Sequence, residues 1–96
     1  MNNIISRYII MLKYVTEFLG TCALLLSILL TGNPIAIGAT LAGIAAAGGS
    51  ISGGHYNPVV SIVMLMKGKV SNSDFMGYLL SQVLGGLLAL EISKRI

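Results

Sequence analysis

The side chains able to do bond-making chemistry are few. The chain holds one histidine, His55, one cysteine, Cys22, and three acids, Glu17, Asp74 and Glu91, at scattered positions. A nucleophile needs an adjacent base, and a metal needs several converging ligands. These residues supply neither set, so neither an enzyme nor a cofactor or metal protein is expected. One segment stands apart. Ser50-Ile51-Ser52-Gly53-Gly54-His55-Tyr56-Asn57 reads as a loop, and an apolar stretch from Pro58 to Lys67 follows it. Pro58 fits the first position of a helix and Asn57 fits its N-cap. A helix N-terminus carries roughly half a positive charge. Asn57 adds a side-chain amide there, and the loop adds carbonyls without strand partners. The result is a polar site with donors at one end and a row of acceptors leading to it. Its chemistry is the exchange of hydrogen bonds with something passing.

The elements that must hold this site are apolar throughout. Of 96 residues, 55% are hydrophobic and 9% charged, against roughly 25% charged in a soluble domain. The mean hydropathy is +0.89. No Asp, Glu, Lys or Arg occurs between Phe18 and Met66. A membrane span takes about 20 residues, so this run must fold back within a bilayer. The chain is therefore expected to be a multi-pass integral membrane protein, with lipid as its surroundings. The net charge of +3 comes from residues flanking the apolar stretches, with no basic stripe for nucleic acid. A single cysteine leaves the redox compartment undetermined. The first apolar run carries Lys13 and Glu17 and lacks a clean cleavage site, so it is expected to stay as a span.

Breakers divide the single domain, residues 1–96, into four elements. Transmembrane helices are expected over about 8–30, 34–49 and 74–92, with a re-entrant loop over 50–57 and a half-helix over 58–67. Ten residues at 1.5 Å rise reach about 15 Å, half the hydrocarbon thickness, so that helix cannot cross. Irregular backbone at membrane depth is tolerated where protein buries it or where it lines a water-filled path. The fold class is thus all-α: three transmembrane helices and one re-entrant half-helix. Small residues along the second span, such as Ala39, Gly43 and Ala46, allow close helix packing. Ser71 or Ser73 is expected to cap the last helix.

Three blocks carry a resemblance. Thr16-Glu17-Phe18-Leu19-Gly20-Thr21, Ile51-Ser52-Gly53-Gly54-His55-Tyr56-Asn57-Pro58-Val59-Val60 and Ser81-Gln82-Val83-Leu84-Gly85-Gly86 resemble the N-terminal half of an aquaporin, of the major intrinsic protein family. The likeness covers about residues 14–92. It implies half of an inverted-repeat fold and passive transport of water or a small neutral solute such as glycerol. By position, Asn57 matches the asparagine that donates to the passing oxygen. The carbonyls of Gly53, Gly54 and His55 match the acceptor ladder, and Pro58 opens the half-helix. Glu17 matches a buried glutamate that holds the re-entrant loop. The His55 side chain is expected to be structural, bonded to Glu17 or nearby backbone, and Gln82 to bond between helices. Glu17 paired with Lys13 at the interface is the competing placement.

Departures from the family pattern bear on selectivity. Val59 stands where alanine is usual, which could tighten the packing or shift the half-helix. Ile37 stands where water-selective members often place an aromatic filter residue. The family has two repeats, whereas one is seen here, and the filter arginine belongs to the other. Two readings follow: a half-channel completed by self-association or by a separate second half, or a non-conducting truncated relative. With the N-terminus cytoplasmic, Arg7, Lys13, Lys67 and Lys69 lie inside, against Lys94 and Arg95 outside. That bias towards one orientation counts weakly against antiparallel self-pairing.

Overall fold

The computed structural model describes residues 3–96, and every regular element among them is helical. Three helices are long and apolar enough to cross a membrane: α1 (Asn3–Thr31), α2 (Pro34–Ser52) and α4 (Asn72–Lys94). The fourth, α3 (Pro58–Met66), has nine residues and reaches only about 13 Å at helical rise. Helix α1 packs against both α2 and α4, and α3 packs against α4.

Local signals explain the ends. The turn between α1 and α2 closes with Asn33, whose side chain accepts from Ile35 N at 2.8 Å and Ala36 N at 3.1 Å. Pro34 follows at the first helical position, where its missing N–H costs nothing. Asn57 caps α3 through Val59 N at 2.8 Å. Of the two candidate caps for α4, Ser71 is the one used, accepting from Asp74 N at 3.1 Å.

The helices run longer than expected. Helix α1 starts at Asn3 rather than near Tyr8, because Ile4, Ile5 and their neighbours contain no breaker. Helix α4 starts at Asn72 and continues to Lys94. The larger correction concerns residues 50–52. Ser50, Ile51 and Ser52 belong to α2, and the loop shrinks to Gly53–Asn57. Gly53 ends the helix in the left-handed region (φ 89°), its N–H bonded to Gly49 O at 3.0 Å. A glycine adopts that conformation without a Cβ penalty. The Ser50–Asn57 stretch suggested a loop by composition, but tertiary contacts keep its first three residues helical. A Cβ at Gly48 would collide with the Tyr56 hydroxyl and the Thr16 side chain.

Close approach also sets the α1–α4 crossing. Gly85 lies against the backbone of Phe18 and Cys22, where a Cβ would meet Cys22 N at 3.3 Å. At one end of the bundle Lys13 pairs with Asp74 at 3.3 Å, and Tyr14 donates to the same carboxylate at 3.0 Å. The interface pairing of Lys13 with Glu17 is therefore replaced by a tie from α1 to the first turn of α4.

Candidate functional site

Glu17 lies at the midpoint of α1 and is fully buried. Its carboxylate accepts four hydrogen bonds. Oε2 takes Ser52 Oγ at 2.7 Å and His55 N at 3.0 Å, while Oε1 takes Tyr56 N at 2.7 Å and Gln82 Nε2 at 2.9 Å. Two are backbone amides of the loop, one comes from the end of α2, and one comes from the middle of α4. A buried acidic group is expensive without partners, and these donors fill both oxygens. The consequence is geometric: the loop is pinned at mid-height of the two longest helices, so α3 begins there and runs back towards the Lys13–Asp74 end.

A second layer braces the first. Gln82 Nε2 also donates to Ser61 Oγ at 2.9 Å, and Ser61 Oγ pairs with His55 Nδ1 at 2.8 Å. The His55 side chain thus bonds to α3, whereas its backbone N–H bonds to Glu17. Its ring meets the edge of Tyr78 at 4.9 Å, and Tyr78 donates to Ser52 O at 2.6 Å. Gln82 joins α1, α3 and α4 through one amide.

Tyr56 has φ 54°, the left-handed region that a bulky residue seldom adopts. Such strain costs on the order of 1–3 kcal/mol and persists only where surroundings over-determine it. Here they do. Its N–H is held by Glu17, its hydroxyl donates to Ile44 O at 2.6 Å, and its ring fills space left by the missing Cβ atoms of Gly20 and Gly48.

The result of this bracing is an ordered loop with unused acceptors. Among the described residues, no protein donor reaches the carbonyls of Gly53, Gly54 or His55. Asn57 follows, open to the outside of the chain, with its Oδ1 engaged at the α3 cap. A cavity of about 440 Å³ opens beside Gly53 and His55 towards Lys13, Lys69 and Asp74. A groove of about 570 Å³ lies on the other side of the loop, lined by Asn57, Pro58 and the far halves of α1 and α4.

The remaining expected residues fall as follows. Pro58 occupies the first turn of α3. Val59 presents its side chain away from the chain's own core, 64% exposed, so its extra methyl groups tighten nothing here. Ile37 is half-buried in the second turn of α2 and does not line the groove that Asn57 lines. Ser61, Tyr78, Thr21 and the Tyr56 side chain were missed by sequence reasoning. For Ser61 a signal exists: a hydroxyl among Val59, Val60, Ile62 and Val63, where nothing but another buried polar group would satisfy it.

Comparison with known proteins agrees with this architecture. The model of the major intrinsic protein family matches residues 27–96. A glycerol uptake facilitator protein-like 6 from Lactiplantibacillus plantarum is 37% identical over 89 residues, covering 82% of this chain and 41% of the relative. Aquaporin Z from Brucella melitensis is 41% identical over 61 residues, covering 64% of this chain and 27% of the relative. The chain therefore spans less than half the length of these curated relatives. No solved structure gave a significant match. A buried glutamate pinning a half-length helix at mid-height of three apolar spans, and a family match over most of the sequence, lead to one conclusion: the chain belongs to the major intrinsic protein family.

Proposed function

We propose that this chain is half of a membrane channel for water or a small neutral solute such as glycerol, completed by pairing with a second half. It performs no chemistry on what passes. The Gly53, Gly54 and His55 carbonyls accept hydrogen bonds along the path, and the Asn57 amide donates at the α3 N-terminus. Glu17, Pro58 and Gln82 hold that loop in place, Val59 shapes the outer side of the half-helix, and Ile37 bounds the path farther out. The N-terminus is cytoplasmic in the orientation favoured by Arg7, Lys13, Lys67 and Lys69.

The observation that carries this reading is the ordered loop at mid-height whose carbonyls find no protein donor. Unpaired backbone acceptors at that depth are costly in lipid. A solute with hydroxyl groups pairs with them at little net cost, because it exchanges one set of hydrogen bonds for another. A cation meets instead the positive end of α3. Both relatives, one named as a glycerol uptake facilitator-like protein and the other as an aquaporin, support the solute class.

The test is osmotic swelling of proteoliposomes in a stopped-flow instrument, with water and glycerol as permeants and empty vesicles as control. The expected result is faster swelling without ionic conductance. Swelling no faster than in empty vesicles, with the protein inserted and paired, establishes the non-conducting reading in its place.

A further inference from the structure

The His55 ring has one nitrogen that the bracing of the loop does not use, and the hydrogen bonds around it decide where its proton sits. Glu17 accepts four donors through both oxygens, so the Gln82 atom beside it is the amide nitrogen. That nitrogen gives one hydrogen to Glu17 Oε1 and the other to Ser61 Oγ. Ser61 is fully buried, and an unspent hydroxyl hydrogen there is costly. Its remaining partner is His55 Nδ1 at 2.8 Å. Nδ1 therefore accepts, and the neutral ring carries its proton on Nε2.

Nε2 is open to the cavity. Among the described residues no protein group bonds to it, yet it is not sealed off, since His55 lines the space of about 440 Å³ beside Gly53. A Cβ at Gly53 would stand 3.3 Å from Nε2 and 3.5 Å from Cδ2, so glycine there keeps the nitrogen uncovered. Other donors around this cavity are spent or lie elsewhere. Tyr78 gives its hydrogen to Ser52 O at 2.6 Å, and Lys13 pairs with Asp74. Asn57 lines the groove on the other side of the loop. The donor beside the Gly53 carbonyl is thus the imidazole.

We propose that the His55 side chain is a solute contact in its own right: its Nε2–H donates to a hydroxyl oxygen in the cavity, next to the carbonyls that accept hydroxyl hydrogens. The proposal rests on the channel reading for the class of solute. A hydroxyl both donates and accepts, and carbonyls alone leave its oxygen without a donor. A polyol with hydroxyls on neighbouring carbons places one on a carbonyl and the next on Nε2–H. Water, with a single oxygen, gains less from the pair, so the imidazole favours glycerol over water. The two ring nitrogens then have separate tasks: Nδ1 fixes the ring to α3, and Nε2 meets what passes.

His55 is the only histidine in the sequence, so labelling histidine with carbon-13 and nitrogen-15 reports on one imidazole. In the full chain in nanodiscs at neutral pH, nitrogen–carbon correlation spectra tell whether the protonated nitrogen is bonded to Cδ2 or to Cγ. The expected result is a proton on Nε2 that exchanges with water, and an Nε2–H signal that shifts on addition of glycerol while Nδ1 stays in place. A proton on Nδ1, a doubly protonated ring, or an Nε2–H signal unmoved by glycerol overturns the proposal. His55→Phe keeps an aromatic edge against Tyr78 and removes the donor. In the swelling assay its glycerol permeability is expected to fall about fivefold relative to water, the worth of one neutral hydrogen bond; an unchanged ratio overturns the proposal equally. Spectra of the unsubstituted chain decide the matter where that variant does not fold. The two claims separate cleanly. A glycerol-sensitive Nε2–H in a chain that does not swell vesicles removes the channel and keeps the contact, whereas swelling with an unmoved Nε2–H removes the contact alone.

Discussion

Replacing Glu17 isolates what pins the loop. Glu17→Ala strips four donors of their acceptor at once: Ser52 Oγ, His55 N, Tyr56 N and Gln82 Nε2. Ser52 can turn to Gly48 O, at 3.5 Å a weak alternative, and Gln82 keeps Ser61. The two backbone amides have no such recourse. An unpaired buried donor costs about 1–3 kcal/mol, so two amides and the cavity left by the side chain add up to about 3–5 kcal/mol, the range for stripping a buried network of its charged partner. Glu17→Gln keeps the shape and one oxygen. Its amide nitrogen must face either the Ser52–His55 side or the Tyr56–Gln82 side. On the second side the Gln82 amide can flip and accept with Oε1, which has no partner in the native chain. That leaves one backbone amide, Tyr56 N–H, facing a donor, and a cost of about 1–3 kcal/mol. Unfolding in detergent micelles, followed by circular dichroism against temperature and denaturant, reads both. The expected order is native, then Gln, then Ala. Equal stability of all three refutes the pinning role, and Gln equal to Ala shows that the negative charge matters rather than the count of acceptors.

Other outcomes follow from the same geometry. Gly20→Ala and Gly48→Ala each drive a Cβ into Tyr56, which is held at both ends and cannot retreat; each is expected to cost about 1–3 kcal/mol as overpacking, whereas Gly43→Ala, with open space beside it, leaves the melting temperature unchanged or raised. Tyr56→Phe loses the bond to Ile44 O and should cost about 0.5–1.5 kcal/mol in the same assay. Asp74→Asn breaks a partly exposed ion pair with Lys13 while Tyr14 keeps an acceptor, so the loss is about 1 kcal/mol or less, read by chemical denaturation at low and high salt. Asn57→Asp places a negative charge at the positive end of α3 and should raise cation leak in proteoliposomes, measured as sodium flux; unchanged flux refutes the role given to the helix end. Labelling of cysteines placed at the two termini should find them on opposite faces in every molecule, and both on one face refutes the three-span fold.

Much of this was legible in one dimension. Membrane class followed from an uncharged run longer than any single span, because a continuous apolar stretch of that length has no charged face to turn towards water. Helix starts at Pro34 and Pro58 and the cap at Asn57 were readable, and the cap of α4 was narrowed to Ser71 or Ser73, because capping is local chemistry over three or four residues. The half-length of α3 followed from counting residues, and that count already required a loop at depth. The three blocks around Glu17, Asn57 and Gln82 carried the family likeness in order.

What needed the tertiary structure was everything that depends on partners far apart in sequence. Ser50–Ser52 looked like loop because glycine and serine disfavour isolated helix, yet Gly48 is small to admit Tyr56 and Ser52 is polar to reach Glu17. Composition cannot separate a glycine that breaks a helix from one that lets a ring approach it. His55 was expected to bond to Glu17 or nearby backbone, and its ring turns instead to Ser61 on α3, while Lys13 reaches Asp74 rather than Glu17. Two orphaned atoms, Thr21 Oγ1 and Gln82 Oε1, also became visible only once the helices were packed. Polarity is written residue by residue in the sequence, but whether a polar atom finds a partner is decided by which helices meet at which height.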